Sequence, residues 1–67
     1  MNDVRAELQA AEEEARQQAA SLRQRARRLR LRSFGDFADE LEMHAMALHE
    51  TADAIATQLE RFPPPSA

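Results

Sequence analysis

Between Phe34 and Phe62 the residues Phe34, Ala38, Leu41, Ala45, Leu48, Ala52, Ile55, Leu59 and Phe62 recur at alternating steps of four and three. That spacing draws a single stripe along a helix, and a stripe this regular must be buried against another helix. Most of it alternates a large residue with an alanine. A facing helix can therefore approach closely at the alanine layers and interlock at the larger ones. This stretch alone commits the chain to helix packed on helix.

The first half supplies the neighbour. Residues 3 to 32 contain no glycine or proline and consist mainly of Ala, Leu, Glu, Gln and Arg, the strongest helix formers. Asn2 or Asp3 can cap the start, with acids in the first turns and arginines in the last, as the helix dipole prefers. The apolar stripe here is Val4, Leu8, Ala11, Ala15, Ala19, Leu22, Ala26 and Leu29. It includes successive steps of four, so it drifts from a strict heptad, and half of it is alanine.

Ser33-Phe34-Gly35-Asp36 interrupts the helical pattern. Gly35, the sole glycine, is expected in the left-handed conformation that ends a helix, and Asp36 can cap the next one. The sequence thus predicts helix 1 over about residues 3–32, a turn at 33–35 and helix 2 over about 36–61. The alternative is one continuous helix of about sixty residues with a tolerated glycine. The change of period at the turn, coinciding with the capping signals, favours the hairpin. Pro63, Pro64 and Pro65 cannot continue a helix, and the tail 63–67 is expected to be disordered.

Sixty-seven residues without cysteine form one small domain lacking the disulfide staples that chains of this size often use. Two such helices leave one side of the hairpin seam uncovered. Pairing two hairpins as an antiparallel four-helix bundle, an all-α homodimer, would close it. Phe34, Ala38, Leu41, Ala45, Leu48, Ala52, Ile55, Leu59 and Phe62, with Leu8, Leu22 and Leu29, are the expected dimer core.

Charge fits the same arrangement. Residues 1–32 carry eight arginines and five acids, whereas residues 33–67 carry one arginine and seven acids. Within the first half, Glu7, Glu12, Glu13 and Glu14 come early and Arg23 to Arg32 late. Antiparallel pairing of helix 1 with its twin sets opposite charges together, and parallel pairing stacks like ones. In layout the chain resembles the Rop-type plasmid regulators, which are dimers of helical hairpins with alternating small and large core layers. The resemblance implies an architecture and assigns no RNA-contacting residue here.

Three surfaces could carry function. Arg23, Arg27 and Arg30 are the members of the arginine cluster expected on any face left free to bind RNA, DNA or a nucleotide. The neighbouring acids Asp36, Asp39, Glu40 and Glu42 favour neutralisation instead. On the back of helix 2, Met43, Met46, Ala47 and Glu50 form either a partner-binding face or a widened core. His44 and His49 are five residues apart, point differently on one helix and read as surface i,i+4 pairs, Glu40 with His44 and His49 with Asp53. No cofactor or metal is implied.

With no Cys, Lys or Tyr, scattered Ser and Thr, and no loop long enough to build a pocket, the sequence does not read as an enzyme. It lacks an apolar run of membrane-spanning length, and its acidic, polar beginning does not read as a signal peptide. The expectation is therefore a soluble cytoplasmic regulator or adaptor that binds another protein, with anion binding or a purely structural role as alternatives.

Overall fold

The computed structural model describes residues 3–62, and the predicted tail at 63–67 lies outside them. Two helices fold back on each other, α1 over Val4–Leu31 and α2 over Gly35–Arg61. They make an antiparallel hairpin 54 Å long and 16 Å in each other direction. Among the described residues no helix is long and apolar enough to cross a membrane.

Asp3 caps α1. Its Oδ1 accepts the Ala6 N–H at 3.3 Å, satisfying one of the donors that the first turn leaves without a partner.

The turn differs from the sequence expectation. Ser33 holds the left-handed backbone, with φ at 68°, while Gly35 is the first residue of α2. The reason lies in the hydrogen bonds that end α1. Phe34 N–H donates to Leu29 O at 2.8 Å and Ser33 N–H to Arg30 O at 3.0 Å. These are the two bonds of a Schellman motif, which requires the left-handed residue directly after the C-cap Arg32. That position is 33, two residues before the glycine. Asp36 does not cap α2 either, because Phe34 is the N-cap and has no side-chain cap bond. Asp36 lies in the first turn, where its charge complements the helix N-terminus.

The interior of the hairpin is made of alanine. Ala15, Ala19 and Ala26 from α1 meet Ala38, Ala45 and Ala52 from α2, and five of these six are wholly inaccessible. Among the described residues no large side chain is fully buried. Methyl-sized side chains let two helices approach closely, and the larger apolar residues are displaced to the margin of the contact.

Candidate interaction faces

The hairpin has two unlike edges, and a helical wheel explains both. On α1 the buried alanines define the inward direction. At 100° per residue, Arg5, Glu12, Arg16 and Arg30 fall to one side of it, and Val4, Ala11, Leu22 and Leu29 to the other. On α2 the same construction puts Asp39, Glu42, His49 and Asp53 on one side. Phe37, Leu41, Leu48, Ile55 and Phe62 fall on the opposite one. Because the helices are antiparallel, the two polar sides share one edge and the two apolar sides share the other.

Three arginines of α1 clasp α2 along the polar edge. Arg5 Nη1 donates to the main-chain oxygens of Leu59 and Phe62 at 3.3 and 2.9 Å. Arg16 Nη2 donates to Glu12 on its own helix at 2.8 Å and to Asp53 across the hairpin at 3.3 Å, while its Nη1 faces His49 Nδ1 at 3.5 Å. Arg30 Nη2 donates to Asp39 at 2.7 Å and also to Glu42. Hydrogen bonds with Glu12, and secondarily Asp53, hold the Arg16 guanidinium above its ordinary range, and those with Asp39 and Glu42 do the same for Arg30. These exposed pairs fix the register of α1 on α2 more than they add stability.

Of Arg23, Arg27 and Arg30, named for any face left free, Arg30 is instead paired with Asp39 and Glu42 of α2. Arg23 and Arg27 are exposed and make no ion pair among the described residues. The histidine pairs are corrected as well. Among the described residues neither Glu40 with His44 nor His49 with Asp53 forms a hydrogen bond or ion pair, and Arg16 reaches both His49 and Asp53 from α1. Sequence reasoning missed Arg5 and Arg16. Arg16, three residues before Ala19, and Arg5, ten before Ala15, both fall beside the seam at 100° per residue.

No protein-family model matches the chain, and no curated protein and no solved structure is significantly similar to it. The apolar edge is thus to be judged on its own chemistry.

Leu22, Leu29, Leu41, Leu48, Ile55 and Leu59 are half-buried along that edge. Phe34 and Phe37 are 50% and 61% exposed and Phe62 is 41% exposed, so large apolar side chains run open from one end of the hairpin to the other. Of the residues expected in a dimer core, Ala38, Ala45 and Ala52 are buried within the hairpin itself, half-buried Leu8 shares the inward direction of the α1 alanines, and the other large ones line this face.

Near the bend the face deepens into a shallow depression of about 570 Å³. Leu29, Leu31 and Leu41 line it together with Arg25, Arg28 and Arg32. On the far side of α2, Met43 and Met46 are 69% and 60% exposed, beside exposed Ala47 and Glu50. Among the described residues no three His, Asp or Glu side chains gather closely enough to hold a metal ion.

Proposed function

We propose that the protein is a non-catalytic, self-associating interaction module. Two hairpins close their apolar edges on each other as an antiparallel four-helix bundle. The outer face of α2, with Met43, Met46, Ala47 and Glu50, is left to dock another protein in the manner of a small regulator or adaptor. One observation carries the reading: among the described residues the six buried side chains are all alanine, while Leu22, Leu29, Leu41, Leu48, Ile55, Leu59 and the three phenylalanines stay at least partly in water along one continuous face. Methyl groups alone give little burial for a chain this short, and a second copy covers what remains. Exposed methionines at helical spacing suit an adaptable partner surface.

Thermal unfolding at several protein concentrations tests the self-association. A dimer unfolds with a Tm that rises with concentration, because mass action favours the associated state. A Tm independent of concentration would overturn the reading.

A second reading has an observation of its own. The arginine rim of the depression at Arg25, Arg28 and Arg32 suits an anionic ligand such as RNA, DNA or a nucleotide, while Arg23 and Arg27, which make no ion pair among the described residues, lie on the polar side of α1. Binding of such a ligand that weakens steeply with salt would favour it, whereas docking through the methionines is nearly insensitive to salt.

A further inference from the structure

The apolar edge carries charge along its margin, and the order of that charge specifies how a second copy lies on it. Glu7, Glu14, Gln18, Arg25 and Arg32 follow one another on α1 at steps of seven, four, seven and seven, so they form one row beside Val4, Ala11, Leu22 and Leu29. The first two are acids and the last two are arginines. Glu7 and Arg32 are equidistant from the point midway between residues 19 and 20, and so are Glu14 and Arg25. Ala11 and Leu29, and likewise Gln18 and Leu22, are equidistant from residue 20, half a residue away.

α2 gives an independent reading of the same point. Arg16 meets His49 and Asp53, and Arg30 meets Asp39 and Glu42, which sets residues 19 and 20 of α1 level with about residue 48 of α2. The large side chains of α2 are symmetric about Leu48. Leu41 and Ile55 are equidistant from it, as are Phe37 and Leu59, and Phe34 and Phe62.

We infer that a second copy of this chain binds the apolar edge through a two-fold axis that crosses α1 between residues 19 and 20 and passes Leu48 of α2. Each helix then runs antiparallel to its twin, with the two bends at opposite ends. Glu7 and Glu14 meet Arg32 and Arg25 of the second copy, and Ala11 covers Leu29. Leu48 meets its own counterpart, Leu41 meets Ile55, and Phe34 meets Phe62. The arginine-rimmed depression is where the acidic first turns of the second copy lie.

This inference rests on the self-association proposed above and adds its register. Other arrangements do worse. Parallel alignment would stack Glu7 on Glu7 and Arg25 on Arg25. An axis along the bundle, with both bends at one end, would set Glu7 and Glu14 against the 51–61 stretch of α2, whose one cation is Arg61, in place of the two arginines that each copy offers across the proposed axis.

Charge exchange tests it. Glu14 and Arg25 are exposed in the hairpin, so Glu14→Arg and Arg25→Glu leave its fold unchanged while each sets like charges at two symmetric contacts. Each variant alone is expected to dimerise about tenfold more weakly. Mixing the two is expected to give a heterodimer within about threefold of the wild-type affinity, because every contact is again between opposite charges. A second variant, Leu48→Cys, is expected to oxidise to an interchain disulfide, which needs Cα atoms about 4.4–6.8 Å apart and so forms only close to the axis. A wild-type dimer in sedimentation that gives neither heterodimer preference nor cross-link would overturn this register and leave self-association standing. A wild-type monomer throughout would overturn both.

Discussion

The guanidinium of Arg5 donates to the main-chain oxygen of Phe62 across 2.9 Å, joining the first turn of α1 to the residue that ends α2. It also reaches Leu59 O at 3.3 Å. The last carbonyls of a helix have no intrahelical donor and form its negative end, so a cation there satisfies both needs. Arg5→Ala is expected to lower stability by about 0.3–1 kcal/mol. Amide hydrogen exchange should accelerate in the last turn of α2 while the bend end is unchanged. Equal acceleration throughout would contradict the local role.

The alanine interior makes a second prediction. Ala19 and Ala45 are wholly inaccessible, and neither has room for a larger group between the helices. Ala19→Leu or Ala45→Leu is expected to cost about 1–3 kcal/mol in urea unfolding, because the helices must separate to admit the side chain. Unchanged stability would mean that the helices do not meet at these positions.

The bend predicts that moving the glycine stabilises the chain. Ser33 occupies the left-handed region that glycine adopts without a Cβ penalty, and a Cβ built on Gly35 meets nothing within 4 Å. Ser33→Gly should gain about 0.5–1 kcal/mol, and Gly35→Ala a further gain of up to about 1 kcal/mol at the start of α2. A loss of Tm on Ser33→Gly would show that the turn is held otherwise.

Met43 and Met46 provide the contrasting case. On the outer face of α2, replacement of both by lysine should change stability by no more than about 0.5 kcal/mol and leave the helicity intact. A collapse of circular dichroism at 222 nm would place them in a core.

Much of the fold was legible in the sequence, because helix formers, capping residues and a seam at steps of three and four all act locally. The bounds of α1 and α2 fall within a residue of the expected ones. The seam itself was read too simply. Phe34 to Phe62 looked like one surface, but alanine and leucine positions in the repeat point to different sides, so Ala38, Ala45 and Ala52 close the hairpin while Leu48 and Ile55 line its edge. The bend was misread because a lone glycine attracted the left-handed assignment that the hydrogen bonds to Leu29 and Arg30 gave to Ser33. Arg16 has a local partner in Glu12 four residues before it, but Arg16 meets Asp53, and Arg30 meets Asp39 and Glu42, only once α1 and α2 are aligned.

The measurement that bears most directly on the account is the solution mass by light scattering over a wide concentration range, on the wild type and on Leu48→Asp. The account predicts a wild-type mass of twice the chain. In the variant, which would bury a carboxylate on the apolar face, it predicts a single-chain mass with reduced helicity. A wild-type chain that stays monomeric and fully helical at every concentration would contradict it.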